Sequence, residues 1–279
     1  MAKIILIETT AADCTVALGV DGVAVAFAKA DEPRSHASMT APLVAQVLAE
    51  AGLKASDCDA VCLSKGPGSY TGLRVGSSTA KGLCFGTSLP LIALDTSTLI
   101  ATQALTRLLA DHAPFNRIIT MIDARRMEVY ASTFEVLASP SVTPDEAPPV
   151  ISSEAPPVIS SEVEESKISP RATLGRNDSS HPLLRQLTPV APVVVGEGTF
   201  GELAGEGPVL FAGDGALKCR EILSAALPDA TFAEVLPHAE AMAPLAEAAF
   251  AASRFEDIAY FEPFYLKQFV ATTPRNKIF

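Results

Sequence analysis

Apolar residues at the start of the chain come in short runs broken by turn residues. Ile4-Ile5-Leu6-Ile7 lies between Lys3 and Glu8 and reads as a buried strand. Cys14 to Val20 alternates loosely and reads as a second strand. Asp21-Gly22 is a hairpin signal, and Val23 to Lys29 returns as a third. The pattern therefore predicts a three-stranded antiparallel meander. Between Met39 and Ala51 only Thr40, Gln46 and Glu50 are clearly polar. Met39-Leu43-Val47 and Val44-Leu48-Ala51 form two apolar rows at helical spacing, and Ala41-Ala45-Ala49 adds a row of small residues. Ser35 and Ser38 are candidate N-caps and Gly52 a C-terminal cap. Pro42 must fall in the first turn or kink this helix. A helix apolar nearly all round is expected to be covered on both sides.

Ala60 to Ser64 is a short apolar strand, and the glycine-rich stretch Lys65 to Gly72 leads into a helix from about Leu73 to Phe85. Gly72, Gly76 and Ala80 share one face of it. A helix-interior glycine costs about 1 kcal/mol relative to alanine, so close approach of another backbone is the expected compensation. Leu91 to Leu94 reads as a strand and Asp95 to Leu109 as a helix. A second unit starts near Arg117. Ile118 to Ile122 and Met127 to Val136 read as strands joined by the turn Asp123-Ala124-Arg125-Arg126.

Residues 146–153 are then repeated letter for letter at 154–161, and the stretch to about Ser180 stays rich in Ser, Pro and Glu. Eight residues are too few for a solenoid repeat. Residues of about 140–185 read as a disordered or loosely attached insertion, the alternative being a docking segment for a partner. Structure resumes at Val193-Val194-Val195. A strand from Pro208 to Ala212 ends in Gly213-Asp214-Gly215. Helices follow at about Leu217 to Ala226 and Glu240 to Arg254, and the extended segment Pro263 to Lys267 is expected to pack on the body.

The chain has 279 residues, enough for one large domain or two modest ones, and its 48% hydrophobic content supports a sizeable core. The net charge of −11 argues against a stand-alone nucleic-acid binder, though not against a subunit of a complex in which another chain holds the nucleic acid. No apolar run is long enough for a signal-peptide core or a membrane span, and the five cysteines carry no metal-binding framework. Cys58 and Cys62 read as small apolar residues around a buried strand. These features point to a cytoplasmic chain with reduced thiols.

The chemistry-bearing motifs are few. There is no Gly-x-Ser-x-Gly elbow and no Walker A loop. His36, His112, His181 and His238 show no metal-ligand spacing, so no metal site is expected. The loop at 66–72 lies between a strand and a helix. Gly66, Gly68 and Ser69 could offer backbone N–H groups to an anion, or simply make a tight turn. Gly213, Asp214 and Gly215 could approach a nucleotide base or ribose, or make a turn. Arg125 and Arg126 could bind phosphate or occupy an exposed turn. His36 could belong to a cleft or cap a helix start.

Gly66-Pro67-Gly68-Ser69-Tyr70-Thr71-Gly72-Leu73-Arg74-Val75-Gly76, followed by Ala80-Lys81-Gly82-Leu83, resembles the signature of the TsaB (YeaZ) family. Ser35-His36, the helix from Leu43 to Leu48, Asp123 to Arg126, Gly213 to Gly215 and Pro263 to Leu266 fit the same family. The resemblance implies an α/β, actin-like/Hsp70-like ATPase (ASKHA) fold of two lobes, each a mixed sheet flanked by helices. The lobes would be 1–105 and 106–279, with the helix at about 240–255 able to pack back on the first.

The resemblance also implies a non-catalytic partner of the paralogue TsaD, which makes threonylcarbamoyladenosine in tRNA. A TsaE-type ATPase would join them, and tRNA would be met only through the complex. The contact would be a helical bundle, assigned here to Met39, Leu43, Val47, Leu73, Gly76, Ala80 and Leu83. A homodimer when alone, and a nucleotide at the partner interface, are open; no other cofactor is implied. The catalytic paralogue carries His-x3-His after the strand that follows the glycine motif. This chain has Leu94 to Ile100 without histidine there, and Glu8 where actin-like ATPases have Asp. An actin-like ATP-binding enzyme or a glycoprotease-type metallopeptidase is the alternative.

Overall fold

The computed structural model describes residues 2–33, 35–110, 115–137, 183–203 and 206–266. The chain opens with β1 (Lys3–Glu8), β2 (Thr15–Val20) and β3 (Val23–Lys29), the expected meander. Asp21 and Gly22 both have positive φ, 52° and 79°, as a type I′ hairpin turn requires. β4 (Ala60–Gly66) adds parallel to β1, and β5 (Leu91–Asp95) parallel to β4, giving the order β3-β2-β1-β4-β5. The run Ile4 to Ile7 is buried on both faces because helices cover both.

On one face, α1 (His36–Glu50) packs over β2 and β3, and α2 (Tyr70–Thr87) over β4. Leu43, Val44, Val47 and Leu48 of α1 are buried, while Ala37, Ala41, Pro42, Ala45 and Ala49 are exposed. The expectation that α1 is covered on both sides is thus met on one side only. Pro42 lies in the second turn, not the first, on the exposed side, and the helix runs on through it. Ser35 occupies the N-cap position, but its hydroxyl donates to the Glu32 carbonyl instead of capping. The helix ends as expected at Gly52. Gly52 N–H donates to Ala49 O at 3.0 Å and Leu53 N–H to Leu48 O at 2.9 Å, a Schellman closure with φ 66° at the glycine. α2 begins at Tyr70, earlier than expected, because Ser69 Oγ accepts the Gly72 N–H and so caps it.

α3 (Thr96–Ala110) leads to a second sheet, made of β6 (Arg117–Asp123), β7 (Glu128–Val136), β8 (Leu184–Gln186), β9 (Ala191–Val194), β10 (Val209–Ala212) and β11 (Thr231–Ala233). Among the described residues its order is β11-β10-β6-β7-β8, with β9 also paired to β7. β8 places Leu184 and Arg185 in the sheet, so the expected insertion boundary at about 185 lies slightly too late. The octapeptide repeat and the rest of that insertion fall outside the described residues, as do His112, His181 and Lys267.

α4 (Ala216–Ala226) covers one face of the second sheet over Phe211 and Phe232. The single helix expected from Glu240 to Arg254 is instead a short 3-10 turn at Ala239–Met242 followed by α5 (Ala243–Ala251). Pro244 sits in the first turn of α5, where its missing N–H costs nothing. Met242, Ala243 and Ala246 pack on Ile4, Leu6 and Ile92, the face of the first sheet opposite α1 and α2.

α3 serves both sheets. Leu99 joins the first sheet's core, and Ile100, Ala104 and Leu105 pack on Ile118, Ile122 and Leu210 of the second. After α5, residues 255–266 form a strap outside β5. Glu256 N–H donates to Leu91 O at 2.8 Å, Phe261 is buried in the α1/α2 core, and Phe264 N–H donates to Lys65 O at 2.7 Å. Across the first lobe the covering layer therefore runs α1, α2, strap.

Candidate functional site

The glycine-rich loop closes on the β1–β2 turn. Ser69 N–H donates to Thr10 O at 2.7 Å, and Thr9 Oγ1 donates to Gly72 O at 2.8 Å. A Cβ on Gly68 would meet Thr10 O, one on Gly72 would fall on Thr9 O, and one on Gly76 would meet Thr9 Oγ1. Gly66 has φ 112°, and a Cβ there would lie 2.8 Å from Phe264 O. The tight-turn reading therefore accounts for these glycines. Of the three residues considered for an anion, Ser69 already donates its N–H to Thr10 O of the β1–β2 turn.

Under this turn lies Glu8, fully buried. Its carboxylate accepts from Thr10 N–H at 2.6 Å, Thr10 Oγ1 at 2.5 Å and Ser64 Oγ. Burial pushes its carboxyl above the usual 4.5, against the hydrogen bonds that pull it down. Above that ordinary value the unfolded chain gives up this proton while the folded chain keeps it. Stability contributed here thus falls as pH rises, until the folded carboxyl also ionises. Glu8→Gln should flatten that slope. Thermal melts of both proteins between about pH 5 and about pH 8 test it, and parallel curves would assign the slope elsewhere.

Gly213, Asp214 and Gly215 lie on the other sheet and close on their own lobe, apart from the first loop. A Cβ on Gly213 or Gly215 would meet Met121 O, and Gly215 N–H donates to that oxygen at 2.8 Å. Asp214 Oδ1 accepts the Asp123 N–H at 2.8 Å, and burial raises its carboxyl above the usual value despite that bond. Asp123 pairs with Lys218 and accepts the Arg125 N–H at 2.8 Å. Arg125 and Arg126 are exposed on the turn with positive φ, 70° and 53°. His36 is buried, with Nε2 3.2 Å from Asp13 O. Among the described residues no three His, Cys, Asp or Glu side chains stand together as a metal site.

The residues assigned to a partner contact lie mostly inside this chain. Leu43, Val47, Leu73, Gly76 and Ala80 are buried, and Met39 and Leu83 are half-buried against the same core. The backbone that approaches the Gly72-Gly76 row is the chain's own, at Thr9. What α1 and α2 do expose is a different set. On α1 it is the alanines with Pro42, beside Ser38, Gln46 and Glu50. On α2 it is Tyr70, Thr71, Arg74, Ser78, Gly82, Phe85 and Gly86. Phe85 is 87% exposed. A Cβ on Gly82 or Gly86 would meet nothing within 4 Å, so no packing inside the chain calls for glycine there. The sequence held a signal for part of this set: the Ala41-Ala45-Ala49 row, and Gly82, which with Gly76 bears the helix-interior glycine cost that close packing would compensate; Gly86 carried no such signal.

A family model described as TsaD, tRNA N6-adenosine threonylcarbamoyltransferase, matches residues 30–273. The chain belongs to this family, as a TsaB/YeaZ member. Within that family it is 35% identical over 133 residues to the tRNA threonylcarbamoyladenosine biosynthesis protein TsaB of Escherichia coli, covering 48% of this chain and 55% of that protein. It is 34% identical over 129 residues to the Haemophilus influenzae TsaB, covering 46% and 52%. The chain thus spans about half the length of the curated relatives it matches. A solved structure of YeaZ from Pseudomonas aeruginosa superposes with a TM-score of 0.63 at 23% identity, over 95% of this chain and all of that one. The TsaB/YeaZ fold is the two-lobed, actin-like α/β arrangement described above. No helix among the described residues is long and apolar enough to cross a membrane.

Proposed function

We propose that this chain is a non-catalytic subunit in formation of threonylcarbamoyladenosine in tRNA, and that it docks a TsaD-type paralogue on the exposed faces of α1 and α2. The observation that carries this reading is Gly82, Phe85 and Gly86. Two glycines with open space above them flank a large exposed aromatic ring on one helix face. A helix-interior glycine is a cost of about 1 kcal/mol with no return inside this chain. An apolar ring in water is a second cost. Both are recovered if another helix lies close across the face, with Ala41, Ala45 and Ala49 extending the flat surface.

In this reading the paralogue carries the transferase chemistry and the contacts to tRNA. A TsaE-type ATPase acts on the pair, and the setting is the cytoplasm. The glycine loops hold this chain's own turns. The test is light scattering behind gel filtration, with the chain alone and mixed with the transferase paralogue of its own organism. A stable mixed complex is expected. Absence of one, with or without nucleotide, would end this reading.

A further inference from the structure

We propose that the strap at 255–266 is a third element of the docking surface, where a basic segment of the docked paralogue lays its cationic side chains. The inference rests on the docking reading above. Strap, β4 and β5 enclose an open groove of about 690 Å³. Its charged lining is acidic: Asp95, Glu256, Asp257 and Glu262 against Lys65, which is already 3.3 Å from Asp95. Beside the carboxylates stand aromatic rings with free surface. Tyr260 is 85% exposed, and Phe264 and Tyr265 are 38% exposed each.

Carboxylates next to open aromatic faces suit a guanidinium or ammonium group, which gains from both. The same charge repels phosphate, which removes a nucleic-acid backbone as the occupant. Position ties the groove to the docking helices. The Tyr265 ring lies 5.1 Å from Tyr70 at the start of α2, Arg74 sits 5.6 Å over Tyr70, and Lys81 Nζ donates to Phe261 O at 3.1 Å. α1 covers β2 and β3, α2 covers β4, and the strap lies beyond at β5. A chain seated on α1 and α2 that continues in the same direction therefore reaches the groove next.

The dissociation constant of the mixed complex, measured at low and high salt, tests this. Tyr260→Ser and Glu262→Lys alter exposed side chains and should leave the melting temperature of the chain unchanged. Each is expected to weaken the complex by about tenfold or more, and the Glu262→Lys loss should shrink at high salt. Val194→Ser, at a 74% exposed position on the second sheet, should bind as the parent. If both strap variants bind as the parent while Ala45→Arg abolishes the complex, the strap has no part in docking and the docking reading stands. If Ala45→Arg also leaves the complex intact, the docking reading itself falls.

Discussion

Gly72→Ala should cost the folded chain more than about 3 kcal/mol, among the largest effects of a single methyl group. The added Cβ would fall on Thr9 O. The oxygen is backbone, and the Gly72 backbone fixes where the Cβ points; the Thr9–Gly72 and Thr10–Ser69 hydrogen bonds hold the two segments in place. No side-chain rotation can relieve the overlap. Gly76→Ala meets the Thr9 hydroxyl instead, a group that can turn, and should cost less. Gly82→Ala meets nothing and should stabilise by about 0.5–1 kcal/mol, the ordinary preference of a helix for alanine. Thermal or denaturant melts of the three variants rank them. Equal losses at Gly72 and Gly82 would contradict the packing described here.

Gly82→Arg should do the reverse of Gly72→Ala. The monomer should melt at or slightly above the parent temperature, because arginine is a good helix former and the site is open. The mixed complex should weaken at least about 100-fold, near 2.7 kcal/mol, because a long charged side chain holds the two helical faces apart. Leu43→Ala provides the contrast. Leu43 is buried in the chain's own core, so its loss should lower the melting temperature by the equivalent of about 2–5 kcal/mol and disturb binding only through the fold. Isothermal titration with the paralogue separates the cases. A Gly82→Arg protein that binds as well as the parent would move the docking surface away from α2.

Much of the architecture could be read from local pattern. The hairpin at Asp21-Gly22, the cap at Gly52 and the helix after the glycine loop are decided by neighbouring residues, and each formed near its expected place. The helix at Ala243–Ala251 was read too long at both ends; Pro244, which suits only a first turn, marks its start, but the alanines on either side hide the break at Met242. β8 and β11 are three residues each, too short to stand out from their flanks.

The site was less legible than the fold for a physical reason. The spacing of Gly72, Gly76 and Ala80 announces that some backbone comes close, but not whose. The structure shows that Thr9 supplies it, so the small-residue row belongs to the core. The exposed glycines one stripe away look identical in sequence. Likewise Leu43 and Val47 form a proper apolar row, and only the placement of α1 over β2 and β3 shows that this row faces inward and the alanines outward.

α3 carries the last point. Because Leu99 is part of one core and Ile100, Ala104 and Leu105 of the other, the two lobes share a structural member rather than a hinge. Gln103 Oε1 adds to this by accepting the His238 N–H at 3.3 Å, where the chain re-enters the first lobe. A twist of one lobe against the other would tear close-packed side chains from one of the two cores. α3 therefore works as a common beam under both sheets, and a substitution that disturbs its packing should reach both cores at once.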